Sequence, residues 1–142
     1  MMTFPGKKQS MDGKECSPFR VMLVEDDGGF RSSLADLLTS RFPDILLDEA
    51  ASGAEAMEKV EGFLPYLIFM DIKLPDRNGL EITRSIKALH PDTQVVILTS
   101  YDFPEYREAA QASGAYWFLS KGTSTAEEIQ VLVEGLYAKC AA

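Results

Sequence analysis

Four separated stretches of the chain end in side chains that handle charge. Glu25, Asp26 and Asp27 close the run RVMLVEDD, Asp71 closes YLIFMD, Thr99 and Ser100 close QVVILTS, and Ser120 and Lys121 close AYWFLSK. Two carboxylates about 4 Å apart repel by roughly 4 kcal/mol at an effective dielectric near 20. Three in one place therefore require protonation or a cation. Mg²⁺ suits such a group, because it takes hard oxygen ligands, keeps several waters and accepts a phosphate oxygen. Ca²⁺ suits it less, since few carbonyl or bidentate ligands are on offer. Beside a cation, one carboxylate can attack phosphorus as a nucleophile and form an aspartyl phosphate. A lysine would offset charge on the transferring group, and a hydroxyl would donate to one of its oxygens.

That chemistry works only if the four stretches meet. Each one terminates a short apolar run, and a fifth such run spans Ile45–Ala50; the others are Arg20–Glu25, Tyr66–Asp71, Gln94–Ser100 and Ala115–Ser120. Several are continuous rather than alternating, as parallel strands buried on both faces require. Helical patterns lie between them. Phe30, Leu34, Leu37, Leu38 and Phe42 share one helical face. Ser52 with Glu55 predicts a capping box for the next helix, with Gly62 expected to close it. Asn78 is expected to cap a third helix, Pro104 to open a fourth and Gly114 to end it. Thr125 with Glu128 forms a second capping box before Ile129, Leu132, Val133 and Leu136, and Gly135 weakens the last turn of that helix by about 1 kcal/mol.

Five strands alternating with five helices predict a doubly wound α/β sandwich. Right-handed crossovers favour the flavodoxin-like strand order 2-1-3-4-5. Ligands of such sheets bind beyond the carboxyl ends of the strands, where the order reverses between the first and third strands. All four charged stretches then fall on one rim. Solvent exposure explains any one of them alone, but not apolar runs that stop at four such groups on the same edge.

Composition narrows the class. The 142 residues include 14 Lys+Arg against 22 Asp+Glu, a net charge of −8, which disfavours non-specific nucleic-acid binding. A hydrophobic share of 46% and a charged share of 25% suit one globular domain. No apolar run approaches the roughly 20 residues of a membrane-spanning helix, and the start lacks a secretory signal. Cys16 and Cys140 lie far apart with no CxxC, which predicts two unpaired thiols and a cytoplasmic protein. Residues 1–18 are expected to form a mobile tail, and residues 19–140 a single domain.

The motifs VMLVEDD, FMDIKLPDRNGLE, VVILTS and FLSK, in this order and spacing, resemble the receiver domain of two-component response regulators. The likeness covers roughly residues 19–140. It implies that Asp71 is the phosphoacceptor, charged by a histidine kinase or phosphotransfer protein in a Mg²⁺-dependent reaction. It implies Glu25, Asp26, Asp71 and the backbone carbonyl of Lys73 as metal ligands, and Thr99 and Lys121 as contacts of the phosphoryl group. Phe118 matches the family's switch aromatic, acting with Thr99. Lys73 and Tyr101 match positions that modulate dephosphorylation, and Pro75 and Gly79 match the turn after the phosphoacceptor. The family uses the face around the fourth helix, fifth strand and fifth helix for output and for homodimers formed on phosphorylation. The chain departs from the usual pattern at Gly122, where many receivers carry proline, so a looser loop is expected there. Asp27, the surplus acid, is expected either to face solvent or to cap the first helix.

Other residues carry less. His90, the only histidine, precedes Pro91 and suits a helix end; no second histidine exists to build a zinc or catalytic pair. In the run Tyr116, Trp117, Phe118, alternation puts Trp117 on one face and its neighbours on the other. Core packing accounts for one face, and the second is open to a partner. A phosphohydrolase with an aspartyl nucleophile would carry a second Asp two residues later, where this chain has Lys73. An FMN carrier would need backbone donors after the first strand, where Glu25, Asp26 and Asp27 repel a phosphate. No catalysis is expected beyond self-phosphorylation and autodephosphorylation, and no membrane or direct nucleic-acid contact. The stretch from Thr99 to Gly122 is similar to receivers attached to LuxR/NarL-type DNA-binding domains. Two outputs follow: a stand-alone receiver acting by protein contact, or the receiver part of a transcription regulator whose effector domain is absent.

Overall fold

The computed structural model describes residues 18–141. The expected N-terminal tail therefore lies, apart from Pro18, outside the described residues. The apolar runs form strands and the amphipathic segments form helices in strict alternation. The first half comprises β1 (Arg20–Val24), α1 (Gly28–Arg41), β2 (Leu46–Ala50), α2 (Gly53–Phe63) and β3 (Leu67–Met70). It continues with α3 (Gly79–Leu89), β4 (Gln94–Thr99), α4 (Pro104–Ala112), β5 (Trp117–Ser120) and α5 (Ala126–Ala141). All strand pairs are parallel, in the order β2-β1-β3-β4-β5, as the sequence predicts.

Strand alternation feeds two separate cores. Met22, Val24, Ile68, Met70, Val95 and Ile97 pack with Ala56 and Val60 of α2, Ile82 and Ile86 of α3 and Ala110 of α4. Val21, Leu23, Leu67, Phe69, Val96 and Leu98 pack on the other side with Leu34 and Leu38 of α1 and Val133 and Leu136 of α5. A one-residue slip would exchange these sets, so the cores pin the register that aligns the strand ends.

Most helix ends follow the expected chemistry. Asp27 caps α1, its Oδ1 accepting from Gly29 N and Phe30 N at 3.0 and 3.1 Å. Asn78 caps α3 by accepting from Leu80 N, and Thr125 and Glu128 exchange both capping-box bonds. Three details differ. Glu55 reaches back to Ala51 N rather than to the cap residue Ser52, although Ser52 Oγ does accept from Glu55 N. Helix α2 runs past Gly62 and ends at Leu64, which adopts φ 51°. Pro65 follows, and a residue before proline is disfavoured in the right-handed helical region, so the turn is made there. Helix α5 continues through Gly135 without a break.

One expectation about the cysteines is corrected. Cys140 is disulfide-bonded, not a free thiol. It lies at the end of α5, which returns beside the start of β1, where Phe19 stacks on Tyr137 at 4.7 Å. Cys16, the chain's other cysteine, lies outside the described residues. Among the described residues no helix is long and apolar enough to cross a membrane.

Gly79 and Gly135 give opposite tests of this packing. A Cβ on Gly79 would meet the Asp71 carbonyl oxygen at 1.9 Å, whereas one on Gly135 would meet nothing within 4 Å. Gly79→Ala is expected to destabilise the protein by about 3 kcal/mol or more, through a forced backbone shift. Gly135→Ala is expected to stabilise it by about 0.5–1 kcal/mol, through a helix interior that loses glycine's backbone freedom. Urea denaturation of both variants checks the two signs.

Candidate functional site

Parallel register sets the rim. Val24 pairs with Met70, so Glu25 and Asp71, the next residues on each strand, leave the sheet side by side. Thr99 pairs with Ser120, so Lys121 emerges one step beyond the β4–β5 ladder. Backbone bonds continue past the strands: Asp71 N donates to Val24 O at 3.0 Å, and Lys121 N donates to Thr99 O at 2.8 Å.

The side chains then converge. Glu25, Asp26 and Asp71 each bring a carboxylate oxygen within 4.8 Å of the others. Lys121 Nζ lies 2.5 Å from Glu25 Oε1 and 3.1 Å from Asp71 Oδ2, bridging the two buried acids. Phe30, in the first turn of α1, places its ring 4.5 Å from the same ammonium. Asp71 Oδ1 accepts from Ile72 N at 2.7 Å, and Glu25 Oε2 accepts from Asp27 N at 3.0 Å. Both buried carboxylates are thus held at each oxygen, while Asp26 stays exposed.

The electrostatics follow from that crowding. Burial pushes the Glu25 carboxyl above its ordinary value, and the Asp71 charge adds to the rise against the pull of Lys121 and the Asp27 N–H. An ion pair alone would lower it, but one ammonium shared between two buried acids does not offset both burial and repulsion. For Lys121 burial works downward, and its bonds to Glu25 and Asp71 outweigh that, so the ammonium is held above its ordinary value.

The rest of the predicted set lies around this centre. Thr99 is fully buried, with its Oγ1 accepting from Tyr101 N at 3.3 Å. Lys73 begins a short turn closed by its bridge to Asn78. Its Nζ sits 5.2 Å from the Tyr101 ring and 5.8 Å from the Tyr106 ring. Phe118 packs half-buried on the core beside α4, under the Arg107 guanidinium at 4.7 Å, and Arg107 Nε donates to Asp102 Oδ1 at 2.7 Å. Trp117 is 58% exposed. In the loop after Lys121, Gly122 N donates to Ser120 Oγ at 3.3 Å and Ser124 N to Ser120 O at 2.9 Å. His90 pairs with Glu61 at 2.9 Å, far from the rim.

Sequence reasoning missed four contributors. Phe30 follows the cap Asp27 at helical spacing, which places it on the turn nearest the acids; Arg31 is next to it, but its bonds to Glu25 and Glu49 carry no local signal. Asp76 accepts from Gly53 N and Ala54 N, both at 2.9 Å, and ties the loop after Asp71 to the start of α2. Tyr106 closes the aromatic group around Lys73 from α4, and neither it nor Asp76 carries a local signal. A concavity of about 530 Å³ lies at the opposite end of the sheet, lined by Tyr66, His90, Thr93 and Gln94 among others. It lacks convergent carboxylates, and the chemistry stays on the rim.

The donors at the rim are all hard oxygens, with no imidazole or thiolate among them. They fit a small divalent cation, to be held by Glu25, Asp26 and Asp71.

Residues 21–134 match the response regulator receiver domain, and the chain belongs to that family. It is 31% identical over 113 residues to the response regulator GacA of Pseudomonas protegens, covering 80% of this chain and 53% of that protein. It is 33% identical over 102 residues to the chemotaxis protein CheY of Halobacterium salinarum, covering 72% of this chain and 83% of that one. Its structure is similar to a two-component response regulator of the LuxR family from an Aurantimonas species, with TM-score 0.77, 28% identity and coverage of 84% and 85%. The chain spans about half the length of curated relatives such as GacA. Receiver domains belong to two-component signalling and bind a metal ion through acidic residues.

Removing Lys121 tests the charge balance. In Lys121→Met the Glu25 carboxyl is expected to titrate still higher, because burial and the Asp71 charge remain while the opposing ammonium is gone. A carboxyl raised in the native state binds its proton more tightly there than in the unfolded chain. Its contribution to stability therefore falls as pH rises from the unfolded Glu value near ~4.3 through the native one. Carboxyl-carbon NMR titration reads the Glu25 midpoint in both proteins, and an equal or lower midpoint in the variant contradicts this balance.

Proposed function

We propose that the protein is a phosphorylation-dependent signalling switch in which Asp71 accepts a phosphoryl group from a histidine kinase or phosphotransfer protein. The observation that carries this reading is the placement of Asp71. It is buried to 7% exposure, bonded to Lys121 and within 4.8 Å of two further carboxylates. An Asp71 oxygen attacks phosphorus, the bond from phosphorus to the donor histidine nitrogen breaks, and the imidazole keeps the electron pair. The product is an acyl phosphate. Lys121 is set to leave Glu25 and pair with the new anionic oxygens, and Thr99 to donate its hydroxyl to one of them.

Glu25, Asp26, Asp71 and the Lys73 carbonyl would hold Mg²⁺, which would supply positive charge against the developing phosphoryl oxygens. Lys73 and Tyr101 stand beside the rim and set how readily water reaches the acyl phosphate. We assign no catalysis beyond self-phosphorylation and autodephosphorylation, because the position two after Asp71 holds Lys73 and not a second acid. The switch runs from Thr99 to Phe118 and changes the face formed by α4, β5 and α5. That face carries exposed Tyr116 and Trp117, and dimerisation of two phosphorylated copies through it is one outcome. A second reading treats this chain as the receiver part of a DNA-binding regulator, supported by its likeness to a DNA-binding response regulator of the LuxR family from Staphylococcus aureus. Its −8 charge is consistent with output through a partner or an attached domain rather than direct DNA contact. A cytoplasmic location fits charging by a histidine kinase or phosphotransfer protein, although the disulfide at Cys140 lends it no support.

Incubation with Mg²⁺ and acetyl phosphate, followed by intact-mass measurement, tests the reading. The wild type is expected to gain one phosphoryl group, lost at high pH, and Asp71→Asn to gain none. Unchanged wild-type mass overturns it. Size-exclusion chromatography with beryllofluoride then separates a dimerising output from a monomeric one.

A further inference from the structure

The acidic run passes directly into α1, and the fourth residue of that helix turns back on it. Arg31 Nη1 donates to the Glu25 carbonyl oxygen at 2.6 Å, and its Nε donates to Glu49 Oε1 on β2 at 2.8 Å. The Glu25 N–H already donates to Ala50 O on the same strand at 3.0 Å. Both backbone groups of Glu25 are therefore tied to β2, one directly and one through Arg31. The peptide bond is planar, so holding the Glu25 carbonyl also fixes the plane that carries the Asp26 nitrogen. On the far side, the Asp27 N–H is held by the Glu25 carboxylate at 3.0 Å. Asp26 is suspended between two clamped peptides.

The anchor is itself braced, because Lys59 Nζ of α2 donates to the Glu49 carbonyl at 2.7 Å and pairs with Asp48 at 3.4 Å. The guanidinium holds the carbonyl and the carboxylate through N–H groups fixed in one plane; a lysine ammonium keeps the charge and loses that fixed geometry. We propose that Arg31 is a positioning residue that aims Asp26 at the cation, an inference that rests on the metal-dependent reading above. The role has a distinctive sign. A bare positive charge beside three carboxylates repels a cation, so its removal would tighten metal binding. A positioning fork does the opposite, and its removal loosens the ligand and weakens binding.

Calorimetric titration of the full chain with Mg²⁺ alone, and separately with Ca²⁺, decides between them. Arg31→Gln is expected to weaken Mg²⁺ binding about tenfold, the usual scale for losing a partner that orients a ligand. Arg31→Lys, which keeps the charge, is expected to weaken it too. Mg²⁺ demands near-octahedral placement while Ca²⁺ tolerates irregular ligands, so the loss should be greater for Mg²⁺ and the preference between the ions should narrow. A general loosening of the fold would lower both affinities alike, and thermal melts of the variants identify it. Binding equal to or tighter than wild type in both variants overturns the role of Arg31 alone. A wild type that binds no Mg²⁺ overturns the metal reading and this role with it.

Discussion

Everything at the rim depends on one imbalance, two buried carboxylates sharing a single ammonium. Parallel pairing of β1 with β3 forces Glu25 and Asp71 to leave the sheet as neighbours. Their mutual repulsion, with Asp26 alongside, is of the order of several kcal/mol in a partly buried setting. Lys121 arrives from β5, two strands away, and neutralises one unit of it. The remainder is uncompensated by any other side chain named at the centre, which leaves the rim predisposed to a cation or an added positive field. That residual charge, more than any shape, is what gives the site its chemistry.

The sheet makes this arrangement tolerable. Two apolar cores clamp the strands from both faces and leave the register no freedom to slip. Close backbone approach does the rest. The turn after Asp71 folds back so tightly that Gly79 lies against the Asp71 carbonyl, and Gly79 N donates to Ile72 O at 2.7 Å. Asp76 then bonds that turn to the first amides of α2. A charge cluster that would otherwise push its own loops apart is held by bonds made several residues away.

The fold and the centre of the site were largely legible in the sequence, because both depend on local patterns. Continuous apolar runs announce buried parallel strands, and the charged residues that end them fall on one rim once the strand order is known. Glu25, Asp26, Asp71 and Lys121 come together as that order predicts, while their roles rest on the resemblance. What stayed hidden depends on contacts between distant segments. Arg31 reads as one more polar residue on a helix, and its fork on Glu25 and Glu49 exists only after β2 lies beside β1. Asp76 looks like a turn residue until α2 is in place. The end of α2 was misplaced because Gly62 is the stronger local stop signal, while Pro65 sets the actual turn at Leu64. The state of Cys140 was beyond local reasoning for the same reason, since a disulfide depends on tertiary contact.

Helix α4 connects the rim to the far face, and its attachment is unusually light. Its nine residues bury only Ala110 fully. On one side Tyr106 touches Lys73 and Tyr101, which follow Asp71 and Thr99 by two residues each. On the other side Arg107 lies over Phe118 while paired with Asp102. Cation–ring and exposed ion-pair contacts of this kind are worth about 0.5–1 kcal/mol apiece. Besides fully buried Ala110, only partly buried Tyr106 and Ala109 join the helix to the core, so its local stability is at the low end for this fold. Under the proposed function, a new pair of anionic oxygens on Asp71 would draw on Lys121 and Thr99 first, and the strain would pass through Tyr101 and Tyr106 into α4. Half-buried Phe118 of β5, with exposed Trp117 beside it, lies next in line. The strong interactions therefore sit where the charge is held, and the weak ones where the proposed switch would change the surface.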